Sequence, residues 1–234
     1  MPFHHLFPDP AAAVVWDGRT DPPPLFPEEL VAVSNATPFR RREFAIGRWC
    51  ARRALAECGF SQTVIPALPN RLPRWPIGAT GSITHCDGFV GAVVAQHTAL
   101  DSIGFDAEPA EPLPSEILGL VCTVNELSWI EAQPYSHDIY WEKLIFSAKE
   151  SVYKCLSPLG SGPLEFLDVV LEIDPKTRSF TARRASMNSA SHELLGRIVG
   201  RFELSKRFIL TSAFIEKSPV AHVSEANPSA GVPW

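Results

Sequence analysis

Between Thr37 and Gly59 apolar side chains return every three or four residues. Phe44, Gly47, Ala51, Leu55 and Cys58 fall on one stripe, and Arg41, Arg48 and Arg52 on another. Thr37-Pro38 offers an N-cap followed by proline at the first helical position, where its missing N–H costs nothing, and Gly59 is a natural stop. The pattern predicts a helix over 37–59. The period then changes. GSITHCDGFVGAVVAQ carries two apolar or β-branched runs around Asp87-Gly88, a tight-turn dipeptide, and predicts a hairpin, with SIGFDAE as a third strand. A second amphipathic segment, YWEKLIFSAKESVYKCL, predicts a helix that ends before Ser157-Pro158. Its expected buried face is Trp141, Leu144, Ile145, Ala148, Val152, Cys155 and Leu156. Lys143, Ser147, Glu150 and Lys154 form a polar stripe, with Lys149 beside it. A shorter helix is predicted around VNELSWIEA. Strands are predicted at 167–173, 179–183, 208–215 and near 195–203.

Segments without either period divide the chain. The first 36 residues are proline-rich and read as irregular, and PAEPLPSE (109–116) reads as a linker. The expected organisation is an N-terminal half over 1–108, the linker 109–116, a C-terminal half over 117–216, and a disordered tail over 217–234. Each half reads as a long helix plus antiparallel strands, an α+β fold.

Composition narrows the function. The chain has 234 residues, 45% of them apolar, as in soluble globular proteins. A net charge of −5 argues against broad binding to nucleic acid or anionic membrane, so any basic site must be local. Five widely spaced cysteines without a C-x-x-C read as free thiols in a reducing cytoplasm. The start, MPFHHLFPDP, lacks the features of a signal peptide, and no apolar run approaches a membrane span. The expectation is a cytoplasmic, non-membrane protein.

Asp106 and Glu108 are the first chemical candidates. At i and i+2 of a strand they share a face, while Ile103, Phe105 and Ala107 share the other. Two such acids repel unless a cation lies between them, and their oxygens suit a hard ion such as Mg²⁺. A solvated strand end before a proline linker is the competing reading. Glu150 could be a third carboxylate beside the phosphate-binding lysines Lys149 and Lys154, or part of an ordinary exposed face with an i,i+4 pair. Arg40, Arg41, Arg48 and Arg71 could grip phosphates through their planar donor forks, or be simply solvated. His85 follows Ser82 and Thr84 at the hairpin's edge. Cys86 has no histidine marked as its base and is rejected as a nucleophile. Neither a P-loop nor a G-x-G-x-x-G fingerprint is present. Composition and spacing thus suggest phosphate chemistry on a pyrophosphate-containing substrate.

Read in order, RREFAIGRWCARRAL, NRLPRWPIGATGSITH, SIGFDAEP and FSAKESVYK resemble the Sfp-type 4'-phosphopantetheinyl transferases, in the branch of enterobactin synthase component D and its actinobacterial relatives. The resemblance spans roughly residues 38 to 160, with weaker agreement through RFILTSAFI. It implies transfer of the 4'-phosphopantetheine arm of coenzyme A to a serine of an apo acyl or peptidyl carrier protein, with release of adenosine 3',5'-bisphosphate. It implies Asp106, Glu108 and Glu150 as ligands of Mg²⁺ (or Mn²⁺), with Glu150 also as general base. Lys149 and Lys154 would bind the pyrophosphate. His85, with Ser82 and Thr84 nearby, would contact a coenzyme A phosphate. Arg48, Arg71 and either Arg40 or Arg41 would hold the 3'-phosphate and adenosine end. Phe146 stands where many members have tryptophan, and Phe105 where isoleucine is commoner. The implied architecture is a monomer of two pseudo-symmetric halves with coenzyme A in the cleft between them. The implied partners are carriers of fatty-acid, polyketide, nonribosomal peptide or siderophore synthases. A Mg²⁺-dependent phosphohydrolase and a catalytically silent coenzyme A or carrier-binding module are the competing functions.

Overall fold

The computed structural model describes residues 3–19, 21–61, 63–134, 139–185 and 191–217. Strand β1 is Ala12–Val15, and a four-residue helix α1 (Pro27–Leu30) precedes the long α2 (Pro38–Glu57). The hairpin follows as β2 (Ala79–Cys86) and β3 (Phe89–Gln96), then β4 (Leu100–Pro109). Beyond it lie α3 (Ser115–Val121), α4 (Val124–Glu131) and α5 (Trp141–Leu156). The chain continues through β5 (Val169–Asp174), β6 (Ser179–Arg184), α6 (Ser191–Gly196), β7 (Val199–Leu204) and β8 (Phe208–Glu216). Thr37 caps α2 as its sequence suggests, its hydroxyl accepting from Arg40 N at 3.2 Å. Gly59 closes the helix at φ +84°.

Three expectations differ. The first 36 residues are not wholly irregular, because β1 pairs antiparallel with β3 (Val14↔Ala92). Four residues between prolines are too few for alternation to stand out. The expected linker 109–116 is shortened to 110–114, since Pro109 ends β4 and Ser115 opens α3. The arginine stripe of α2 is not a solvent face: Arg48 and Arg52 are buried. The tail expected from 217 lies, from residue 218 on, outside the described residues.

The strands form two antiparallel sheets, ordered β1-β3-β2 and β4-β8-β7-β6-β5. Strand β4 follows the hairpin in sequence and was grouped with residues 1–108, yet its backbone partner is β8 in the second sheet (Asp106↔Thr211, Glu108↔Ile209). Side-chain hydroxyls tie it to β2. Ser82 Oγ donates to Phe105 O at 3.4 Å, and Ala107 N donates to Thr84 Oγ1 at 3.1 Å.

Burial explains the layering. Helix α2 covers one face of the first sheet, with Ile46, Cys50, Ala51 and Leu55 in one cluster with Val14, Ala92 and Val94. Phe89 and Val93 of that sheet meet Ile103, Phe105, Leu210 and Phe214 of the second in a shared core closed by Leu6 and Phe7. Phe105, wholly buried there, contributes roughly 1.5–3 kcal/mol by its burial. The far face of the second sheet carries α5 through Leu144, Ile145, Ala148 and Val152, with α3 and α4 packed outside it. The expected apolar face of α5 is therefore present. Its polar stripe is not a solvent face, because Lys143, Ser147 and Lys149 are also buried. Among the described residues no helix is long and apolar enough to cross a membrane.

Candidate active site

Alternation along β4 turns Ser102, Gly104, Asp106 and Glu108 toward α5. The helix passes over them in repeating contacts four residues apart. Ser102 Oγ donates to Cys155 O (2.6 Å), Ser151 lies over Gly104, and Ser147 Oγ donates to Asp106 Oδ2 (2.7 Å). Lys143 Nζ then stands 3.6 Å from Glu108 Oε2. Four helical residues rise about 6 Å and two strand residues about 6.6 Å, so helix and strand stay in step across the motif. Gly104 makes this approach possible. A Cβ there would stand 2.7 Å from Cys155 N and nearer still to Ser151 O.

Asp106 is the buried centre. Its Oδ1 accepts from Lys154 Nζ at 2.6 Å and from Thr84 Oγ1 at 3.3 Å. Ser147 Oγ also shares a hydrogen bond with Thr211 Oγ1 at 2.9 Å, so the hydroxyl holding Oδ2 is itself held. Lys154 reaches Phe105 O as well, at 3.3 Å. Burial raises the pKa of Glu108, and the charge of Asp106 adds to it against the pull of Lys143. Burial likewise raises Glu150, opposed by Lys154 and reinforced by Asp106. Glu108 and Glu150 therefore each sense the charge of Asp106. Among the described residues, however, no three Asp, Glu, His or Cys side chains are gathered closely enough to hold a metal ion.

Arg40 Nη1 donates to His85 Nε2 at 2.7 Å and lies 3.3 Å from Glu43 Oε2. Such a donor requires a lone pair on Nε2 and therefore a neutral imidazole. Burial lowers the His85 pKa, and the Arg40 charge lowers it further, against Glu43. A cavity of about 470 Å³ opens nearby, lined by Arg71, Ser82, Ile83, Glu150, Tyr153 and Lys154. Arg71 has a left-handed backbone (φ +67°) at a turn closed by Leu68 N donating to Leu72 O at 2.8 Å. A smaller cavity of about 130 Å³ shares Glu150 and Tyr153 and adds Lys149, Leu164, Phe166 and Val169.

Three sequence candidates point elsewhere. Arg41 spends its guanidinium on the carbonyls of Val33, Ser34 and Ala36, just before α2. Arg48 donates to Ile65 O at 2.6 Å and lies over the Phe44 ring, with burial bringing its pKa down to about 10. Lys149 is buried against Glu126, and burial lowers its pKa despite that partner. Cys86 is no nucleophile: burial, then Glu108 and Asp106, push its thiol up to about 12. Sequence reasoning missed the contributions of Glu43, Gly104, Glu126 and Thr211. Of these Gly104 had a signal as the glycine of G-F-D-A-E, and Glu126 as the last residue of the capping box T-V-N-E that opens α4.

Family models for the 4'-phosphopantetheinyl transferase N-terminal domain and the 4'-phosphopantetheinyl transferase superfamily match residues 26–95 and 102–208, respectively. The chain is 43% identical over 182 residues to 4'-phosphopantetheinyl transferase Svp of Streptomyces mobaraensis, covering 74% of this chain and 73% of that protein. The chain belongs to the 4'-phosphopantetheinyl transferase superfamily. This transferase is also 33% identical over 201 residues to 4'-phosphopantetheinyl transferase PptT of Mycobacterium tuberculosis (82% and 88% covered). A shorter likeness, 34% over 120 residues, joins the transferase to enterobactin synthase component D of Salmonella typhimurium (50% and 49% covered). The two family matches part just before the body of β4. That break agrees with the pairing of β4 in the second sheet.

Proposed function

We propose that this transferase moves the 4'-phosphopantetheine of coenzyme A to a serine of an apo acyl or peptidyl carrier protein and releases adenosine 3',5'-bisphosphate. The observation that carries this reading is the Lys154–Asp106 pair close to Glu150, which with Tyr153 lines both cavities. The larger cavity, with Arg71, Ser82 and Lys154, suits the phosphates and nucleotide. The smaller, lined by Leu164, Phe166 and Val169, suits the less polar pantetheine arm. Arg40 and His85 would meet a phosphate at the cleft's edge.

The donor chemistry suits Mg²⁺, although among the described residues the three carboxylates are not drawn together into a closed cluster. Asp106, Glu108 and Glu150 offer only oxygen, and two of them have pKa values raised in part by neighbouring negative charge that a cation would relieve. The ammonium of Lys154 stands against Asp106 where positive charge is wanted. When bound, the ion would be held by these carboxylates and would neutralise charge on the substrate's phosphates.

The side chains supply the rest. The carrier Oγ forms its bond to phosphorus as the bond to the departing bisphosphate breaks, and charge gathers on phosphate oxygens. Lys154, fixed through Asp106 and Phe105 O, offers a preorganised positive charge there. Glu150 takes the serine proton. Its pKa, raised by burial, makes it a stronger base than an ordinary carboxylate. Thr84 and Ser147 keep the Asp106 carboxylate in one orientation.

Incubation with coenzyme A, Mg²⁺ and a panel of apo carriers, read by intact mass, tests the proposal. One added phosphopantetheine per carrier, abolished by chelator and lost in Glu150→Ala, is the expected result. Phosphate release without any modified carrier would favour hydrolysis instead. Transfer by Glu150→Ala above about a tenth of wild type would remove Glu150 from the role of base.

A further inference from the structure

The chemistry above makes no use of the most deeply buried ion pair on α5. Lys149 Nζ donates to Glu126 Oε2 (2.7 Å), Val121 O (2.8 Å) and Phe166 O (3.0 Å), which accounts for all three ammonium protons. Its side chain is 1% exposed and that of Glu126 is 3% exposed. Glu126 Oε2 also accepts from Thr123 N (2.7 Å) and Thr123 Oγ1 (2.9 Å), and Oε1 accepts from Leu171 N (2.9 Å). Two side chains thereby tie α5 to the end of α3, the start of α4, the turn at Phe166 and strand β5. Lys149 directly precedes Glu150, and with Phe166 and Val169 it lines the smaller cavity.

We propose that Glu126 and Lys149 are positioning residues that set the width of this cavity and the reach of Glu150, and that Lys149 does not bind the pyrophosphate of coenzyme A. The inference rests on the transferase reading of the same site. A phosphate drawn to Lys149 would have to displace a carboxylate and two carbonyls from a buried ammonium, replacing bonds already made. Loss of the tether would not release α5, which Leu144, Ile145, Ala148 and Val152 hold against the sheet. It would free the Phe166 wall and the α3–α4 corner to move relative to Glu150. Rate would suffer before coenzyme A affinity does.

The test uses the full chain as wild type, Lys149→Met, Glu126→Gln and the double variant. Coenzyme A Kd, kcat and KM for an apo carrier, and Tm are measured on each. Lys149→Met should keep Kd within about twofold while kcat falls about tenfold to a hundredfold, since misplacement by about 1 Å is enough for such a loss. The double variant, which leaves no unpaired buried charge, should regain Tm over Glu126→Gln but not kcat. A tenfold weaker Kd with kcat kept would make Lys149 a phosphate ligand, and recovery of kcat together with Tm would make the pair merely structural. Either result overturns the inference. If Lys149→Met does not fold, Lys149→Arg replaces it with the same expectation, because a planar fork cannot satisfy the three acceptors as the ammonium does. If wild type loads no carrier, the functional reading fails, and the Kd of the Lys149 variant still decides whether Lys149 holds phosphate.

Discussion

Substituting Gly104 by alanine adds a single methyl group at the closest approach of β4 and α5. That carbon would stand 2.7 Å from Cys155 N and 3.0 Å from Ser151 C, against an ordinary non-bonded separation of about 3.5–4.0 Å. Both obstacles are backbone, so no side chain can rotate away. Helix and strand must part by roughly 1 Å, at or beyond the upper end of the 1–3 kcal/mol usual for overpacking. The neighbouring contacts are stretched by the same movement, including Ser147 Oγ to Asp106 Oδ2 at 2.7 Å and Ser102 Oγ to Cys155 O at 2.6 Å. Asp106 lies two residues along the strand, and Glu150 adjoins Ser151 on the helix. The expected result is a loss of about 3 kcal/mol in urea unfolding and a fall of about a hundredfold in the rate of carrier loading by the folded fraction. A variant within about 1 kcal/mol of wild type and within threefold of its rate would refute the argument that this glycine sets the helix–strand distance on which the site depends.

Three further outcomes are expected. Lys154→Met leaves Asp106 buried without its cation and should lower kcat by about a hundredfold or more, so a variant within threefold of wild type would exclude Lys154 from the reaction. Glu29→Gln strands Arg52, which it meets at 2.7 Å deep beneath α2, and removes an ionised acceptor from Ile65 N. Denaturant unfolding should show a loss of about 3–5 kcal/mol, and a loss below about 1 kcal/mol would show that the pair relaxes freely. His85 concerns pH. Its folded-state pKa lies below the unfolded value of about 6.5, so the unfolded chain binds the proton first and the folded state loses stability as pH falls through that range. His85→Gln should therefore lose less stability than wild type between pH 7.5 and pH 5; parallel curves would show that His85 is not held neutral by the fold.

What could be read in advance follows from the range of each signal. Helix α2 and the hairpin were legible because their periods, cap and turn are local. The shared face of Asp106 and Glu108 was legible because alternation in a strand needs only the backbone. Partners were not legible. Alternation in SIGFDAE announces a strand without saying that it pairs with β8 rather than with the hairpin before it. The same limit separates Lys149 from Lys154. Both lie on the polar side of one amphipathic helix, but α3, α4 and the Phe166 turn cover one while the larger cavity opens beside the other. Arg40 and Arg41 differ by one residue. The carbonyls of Val33, Ser34 and Ala36 capture the second and leave the first to His85.

The pairing of β4 with β8 also orders events during synthesis. Glu108 lies opposite Ile209, so about a hundred residues must be made after the acidic strand before its backbone partner exists. At roughly 5–20 residues per second, that is an interval of about 5–20 s. Through that interval Asp106 stands on a strand with no ladder to hold it, and closing so long a loop is a slow, non-local step. The first sheet and α2 lie entirely within the first 96 residues and can assemble while the ribosome is still working. The surroundings of Asp106 cannot: its strand gains a ladder, and Ser147 gains the Thr211 hydroxyl, only when β8 docks.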